Sequence, residues 1–240
     1  MAIEIRETKD GSHTLYNAEL NETYHSMHGA LQESEYIYID QGLNHFHKDN
    51  KQKLGPLQEG QSTSSIPLRI LEVGFGTGLN AILTYQESKL KNLKVDYVTL
   101  EPFPLPLSLV NQLNYPSYFS DSNLKDRFID FHAFKWEEEI KVSDGFSITK
   151  KETKLEDFNT AGRFDIVYFD AFAPSKQADI WEVDNFRKLK MLLSGYGFLI
   201  TYCSSSQFKK NLQEAGFRIE SLPGPHGKRE ITRAWHPIVL

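Results

Sequence analysis

The sequence predicts an α/β protein built on a doubly wound, mostly parallel sheet. Three observations carry that expectation. From Leu68 onward, short apolar runs alternate with stretches of helical period. The first run, LRILEV, leads into glycines at 74, 76 and 78 before a helical stretch begins. A later run, FDIVYF, stops at Asp170 with a proline-stiffened loop behind it. Strands separated by helices pair in parallel, because each helix carries the chain back to the same end of the sheet.

The elements follow in order. Residues 1–47 form an N-terminal extension. Its alternating runs IEIRET and HTLYNA flank Asp10-Gly11 and predict a small β-hairpin. YHSMHGALQESEYIYIDQGL then shows mixed periodicity. Residues 48–67 are polar, with Gly, Pro and Ser, and read as a linker or exposed loop. Residues 68–240 hold the main domain. There LRILEV, VDYVTLE, FSITKK, FDIVYFD, GFLITYC, FRIESL and ITRAWHPIV are strands, while LNAILTYQESKL, LPLSLVNQL, DIWEVDNFRKLKML and SSQFKKNLQEAG are helices, the last ended by Gly216.

Composition narrows the class. The chain has 240 residues, enough to bury a substantial core. One cysteine, Cys203, allows no intramolecular disulfide and fits a reducing compartment. The N-terminus is charged within its first residues, and no apolar run is long enough to span a bilayer, so a cytoplasmic location is expected. Net charge is −5, which argues against nonspecific nucleic-acid binding. Residues 201–240 nevertheless carry six basic and three acidic side chains, leaving −8 on the rest. That excess is either ordinary surface charge or a local basic face for phosphates. The histidine pairs His25/His28 and His45/His47 lack nearby Cys or paired carboxylates, so no metal site is expected.

The loop ILEVGFGTGLN decides what kind of ligand is sought. Glycine lets a ligand approach the main chain, and the following helix opens with unpaired N–H groups. A dinucleotide fingerprint needs a glycine where Leu79 stands. Glu72 precedes the loop, and a carboxylate there repels pyrophosphate and attracts a cation. S-adenosylmethionine, with its ammonium and sulfonium groups, is such a cation. Glu101 ends the next strand, where an acid accepts hydrogen bonds from both ribose hydroxyls. Taken singly, Glu72 is a surface residue and Glu101 a strand-end charge; at this spacing the two support a cofactor site.

Asp170 ends a strand facing the same crevice. It either caps the loop as an Asx turn or stands beside the cofactor methyl group. In the second case it would meet an amine nucleophile. A primary amine has a pKa near ~10, so about one molecule in a thousand is neutral at pH 7. A carboxylate can accept the amine's hydrogen bonds, aim its lone pair and help take its proton. Ala171, Phe172, Ala173 and Pro174 would wall such a site, while Trp181 reads as core.

These residues resemble a known family. ILEVGFGTGLN, VTLEPFPL, YFDAFAPSKQADIW and PGPHGKRE, with the opening YHSMHGALQESEYIYIDQGL, are similar to the methyltransferase module of the bacterial tRNA wobble-uridine enzymes and its free-standing relatives. The resemblance implies a class I S-adenosylmethionine-dependent, Rossmann-like methyltransferase over residues 68–240. It implies N-methylation of the aminomethyl group of 5-aminomethyl-(2-thio)uridine in a tRNA anticodon stem-loop. By motif, Glu72, Gly74, Gly76 and Gly78 would hold the methionine part of the cofactor, Glu101 the ribose, and Glu152 would lie near adenine unless it is a solvated strand-end charge. Asp170 would meet the amine; Tyr24, Ser26, Phe172, Pro174, Lys228 and Arg229 would face the substrate, although Tyr24 and Ser26 are equally well scaffold and two basic residues in an exposed turn are more often just solvated. The chain is about one module long and shows no second, flavin-type glycine fingerprint, so an oxidoreductase acting earlier is expected as a separate partner. The rival reading is an aminopropyl- or methyltransferase acting on a free polyamine or other small amine, which would need an acidic substrate channel.

Overall fold

The computed structural model describes residues 3–54 and 66–237. An eight-stranded sheet forms its centre. The strands are β4 (Leu68–Val73), β5 (Val95–Leu100), β6 (Glu139–Ser143), β7 (Phe146–Lys151), β8 (Phe164–Phe169), β9 (Leu193–Thr201), β10 (Arg218–Pro223) and β11 (Glu230–Trp235). Their spatial order is β10-β11-β9-β8-β4-β5-β7-β6. The inner pairs β4–β5, β5–β7, β4–β8 and β8–β9 are parallel, and the outer pairs are antiparallel. The mostly parallel sheet read from the sequence is therefore present. The chain winds outward from β4 through β5 to β7, then returns to place β8 on the other side of β4. That reversal leaves a crevice above the carboxyl ends of β4 and β8, where ligands of such sheets bind.

The small N-terminal sheet is also present. β1 (Ile3–Glu7) and β2 (His13–Asn17) pair antiparallel, and β2 adds the two-residue β3 (Glu22–Thr23). Asp10 holds the first turn by accepting hydrogen bonds from Thr8 Oγ1 at 2.7 Å and from the Ser12 amide at 3.0 Å.

Next, α1 (Ala30–Ser34), a π-helical stretch (Glu35–Asn44) and α2 (His45–Leu54) run on through right-handed helical junctions. A π-helix bonds i to i+5, so its apolar positions fit neither the α period nor the strand period. This winding explains the mixed periodicity of that segment. It brings Ile37, Tyr38, Ile39 and Leu43 into the core, against β8, β9 and α3 (Leu79–Lys91). The linker expected over 48–67 begins later than its polar composition suggests, since α2 carries helix to Leu54; residues 55–65 lie outside the described part.

On this face of the sheet α3 and α5 (Ser122–Ala133) complete the cover. Asp121 caps α5 by accepting from the Asn123 amide. Leu124, Phe128 and Phe131 recur at helical spacing and bury one side of it. On the opposite face, α6 (Val183–Leu192) and α7 (Ser206–Glu214) pack Phe186, Leu189, Phe208 and Leu212 onto β8 and β9. Helix α5 and strand β6 went unread in the sequence, and the helix expected at LPLSLVNQL shrinks to the single turn α4 (Leu107–Val110). Among the described residues no helix is long and apolar enough to cross a membrane.

Candidate active site

A cavity of about 580 Å³ opens above the carboxyl ends of β4, β5 and β8. Its floor is the glycine loop. Gly74 has φ +97°, and a Cβ added there would stand 2.6 Å from the Asp170 carbonyl oxygen. Any side chain at this position would therefore push β4 and β8 apart. Gly76 turns its amide to Glu101 Oε2 at 2.9 Å, and the other oxygen of Glu101 accepts from the Phe103 amide at the same distance. Burial raises the Glu101 carboxyl above its ordinary value, against those two amide bonds. Each oxygen keeps a lone pair for a ligand hydroxyl.

Asp170 faces the cavity. Its Oδ2 accepts from Asn80 Nδ2, in the first turn of α3, at 2.8 Å. Burial raises its pKa to about 6, opposed by hydrogen bonds from Tyr38 and Asn80. Tyr38 reaches this point from the π-helical stretch. The Asp170 side chain is thus tied to another side chain and not to the amides of its own loop, so the Asx-turn alternative does not describe it.

The walls come from distant segments. Tyr24 meets Phe172 edge-on, with ring centroids 4.9 Å apart. Glu33 accepts from the Ser26 amide at 2.7 Å through one oxygen and pairs with Lys228 Nζ at 2.9 Å through the other. Lys228 Nζ lies 4.1 Å from the centre of the Tyr202 ring, whose hydroxyl donates to the Ala171 carbonyl. Trp181 is core, packed on Phe169 and Phe208, and its indole N–H also pins the Phe172 carbonyl at 2.8 Å. His25 lines the cavity, and burial lowers its pKa to about 4, so it is neutral near pH 7.

Of the residues expected from the sequence, Gly74, Gly76, Glu101, Asp170, Tyr24, Ser26, Phe172 and Lys228 line this one cavity. Five do not. Gly78 packs instead on His132, whose Nε2 lies 2.7 Å from where a Cβ would stand. Glu72 has no exposed surface, and burial raises its pKa to about 8, so near pH 7 it is mostly protonated and offers a cation little charge. Glu152 is exposed at the end of β7, its amide bonded to Glu137, and Thr153 to Asp157 take its expected place on the cavity wall. Pro174 and Arg229 stand outside the lining. The basic-face reading also changes. Lys228, Lys209 and Arg233 are each paired to a carboxylate, and Arg233 is 1 % exposed. Sequence reading missed Asn80, Tyr38 and Tyr202, because only the tertiary fold brings them near Asp170.

The lining carries seven carboxylates and two lysines. A cationic ligand is favoured there. Bare backbone at Gly74 and Gly76, the acceptor pair of Glu101 and this charge suit a sulfonium nucleoside. Residues 124–237 match the family model described as S-adenosyl-L-methionine-dependent methyltransferase. The crystal structure of MNMC2 from Aquifex aeolicus has a similar fold, with TM-score 0.74 and 22% identity over 98% of this chain and 70% of that one. In fold and over the matched residues, the chain is thus similar to S-adenosyl-L-methionine-dependent methyltransferases. Spermidine synthase from Thermotoga maritima shares the fold more distantly, with TM-score 0.52 and 12% identity over 99% of this chain and 80% of that one. Among curated proteins, this chain is 25% identical over 239 residues to the tRNA 5-methylaminomethyl-2-thiouridine biosynthesis bifunctional protein of Ralstonia nicotianae, covering 93% of this chain and 33% of that protein. The protein of the same name from Pseudomonas fluorescens is 27% identical over 223 residues, 89% of this chain and 32% of that protein. The chain thus spans about a third of the length of these curated relatives.

Proposed function

We propose that this protein transfers a methyl group from S-adenosyl-L-methionine to the aminomethyl nitrogen of 5-aminomethyl-(2-thio)uridine at the tRNA wobble position, giving 5-methylaminomethyl-(2-thio)uridine. The observation that carries the reading is the placement of Asp170 on the cavity, one backbone contact away from the glycine loop. The relatives named for 5-methylaminomethyl-2-thiouridine biosynthesis supply the substrate class.

The bound cofactor supplies a sulfonium methyl group. Gly74 and Gly76 give its methionine part a bare backbone surface, and Glu101 accepts from its ribose. Asp170, with a pKa of about 6, is mostly ionised near pH 7. It accepts hydrogen bonds from the substrate amine, aims the nitrogen lone pair, and is basic enough to help take the proton released by methylation. Phe172 and Tyr24 shield that nitrogen from water. Residues 1–47 act as the cover of a domain spanning 68–240, and Tyr24, Ser26 and Lys228 border the substrate side. Arg229, exposed beside Lys228, is the phosphate contact. The partners are a tRNA anticodon stem-loop and an oxidoreductase acting earlier, in the cytoplasm.

The acidic lining favours a second reading, transfer to a free polyamine, because a polycation is drawn to the same carboxylates. Purified protein incubated with labelled cofactor and either undermodified tRNA or polyamine precursors separates the two. Label entering tRNA, at 5-aminomethyluridine, is expected. Label entering only the free amine would overturn the tRNA reading.

A further inference from the structure

Beneath the glycine loop lies a polar cluster, Glu72, Asn80 and Thr99, that stands behind the cavity lining and meets it at Asp170. Glu72 is fully buried; its Oε2 accepts from Thr99 Oγ1 at 2.7 Å, and its Oε1, in the neighbourhood of Asn80 and Tyr97, has no well-formed hydrogen bond. Asn80 is 3 % exposed, and its Oδ1 is likewise without a partner, while its Nδ2 holds Asp170. The groups acting on Glu72 are Thr99 and Tyr97 from β5, Asn80 from α3, Tyr168 from β8 and Asp170 just beyond it; none is basic. A bare carboxylate here would have no counter-charge, and its own Oε1 and the Asn80 Oδ1, both acceptors, would stay unpaired, as the nearby Tyr97 and Tyr168 hydroxyls are. One proton removes both costs.

We propose that Glu72 is a positioning residue that keeps its proton, donates it to the Asn80 carbonyl oxygen, and so fixes the amide with its NH₂ group toward Asp170. With the amide reversed, its oxygen would face the Asp170 carboxylate and drive it from its place. Burial above all raises the Glu72 pKa, to about 8, with the Asp170 charge adding to the rise against its hydrogen bonds with Thr99, Asn80 and Tyr97. The geometry and the charge balance therefore agree. The inference rests on Asp170 meeting the substrate, but its test does not need the substrate.

Infrared spectra of wild type and Glu72→Gln are compared at neutral pH, with cofactor affinity measured by calorimetry. The difference spectrum is expected to show the carbonyl stretch of one protonated, buried carboxylic acid, lost as pH passes about 8. Glu72→Gln, which still donates to Asn80, is expected to bind S-adenosyl-L-methionine within about threefold of wild type. Glu72→Leu and Asn80→Ala are expected to lower kcat on undermodified tRNA by about tenfold or more with cofactor affinity kept. No acid band at neutral pH, or a tenfold loss of cofactor affinity in Glu72→Gln, overturns the proposal; the second result would make Glu72 a charged cofactor contact. A wild type that leaves tRNA unmethylated refutes the proposed substrate, and the spectra and affinities still decide the role of Glu72. They also decide it if Glu72→Leu fails to fold.

Discussion

Asn80 Nδ2 donates to Asp170 Oδ2 across 2.8 Å, which ties the first turn of α3 to the acid at the end of β8. The glycine loop joins α3 to β4, the neighbour of β8, so one hydrogen bond sets the acid relative to the loop. Gly74 closes the same joint from the backbone side, with no room for a Cβ against the Asp170 carbonyl.

Asp170→Asn is expected to lower methyl transfer by about 10²–10⁴-fold while cofactor affinity stays near the wild-type value. The amide takes no proton, and its NH₂ group opposes that of Asn80. Single-turnover transfer to undermodified tRNA measures the effect; a rate close to wild type would remove Asp170 from the chemistry. In wild type the rate is expected to fall as pH drops through about 6, where the carboxylate becomes protonated.

Glu101→Ala is expected to weaken S-adenosyl-L-methionine binding by about 1.5–3 kcal/mol, or roughly 10–100-fold, through loss of a charged acceptor. The Gly76 and Phe103 amides lose their partner in the same step. Calorimetric titration checks it, and an unchanged affinity would place the ribose elsewhere.

Gly74→Ala combines a positive φ with a 2.6 Å approach to the Asp170 carbonyl. A loss of about 1–3 kcal/mol in folding stability is expected, read from urea unfolding. An alanine variant as stable as wild type would mean that the β4–β8 joint is slack.

Lys228→Met leaves Glu33, whose side chain is 9% exposed, without its cation. A loss of about 1–3 kcal/mol is expected, less than for a fully buried pair because the lysine side chain is 26% exposed. The double variant with Glu33→Gln is expected to recover part of it. Additive losses in that cycle would show that the pair contributes nothing.

His25 stays neutral in the fold down to about pH 4, whereas an unfolded imidazole takes up its proton near 6.5. The unfolded chain therefore binds more protons in that window, and stability is lost as pH falls through it, by at most about 1.4 kcal/mol per pH unit. His25→Gln is expected to reduce the drop in melting temperature on acidification from about pH 7 to about pH 5. His132, lowered to about 4 by burial as well, leaves a residual slope.

Much of the fold was legible because each run from LRILEV to GFLITYC states its period locally. The glycines and Asp170 were legible too, since turns and strand ends leave residue types that propensity alone recognises. The π-helical stretch was opaque, because its i to i+5 winding matches no common template. Helix α5 did carry a signal, with apolar residues at 124, 128 and 131, and was passed over among charged neighbours. Glu72 misled for a different reason. Its place before the loop reads as a cofactor contact, and nothing in the sequence reveals that β4 turns it into a space without a counter-charge.

By itself the sequence determined the layered sheet, the bare loop at the end of β4 and the acid at the end of β8, because period, glycine and strand termination are local properties. Only the tertiary structure decided which acids are charged, which glycines touch the cavity, and which partners hold Asp170. Those depend on burial and on contacts such as Asn80–Asp170 and Glu33–Lys228, separated by 90 and 195 positions in the chain. Desolvation is set by everything packed around a group, and residue order does not state it.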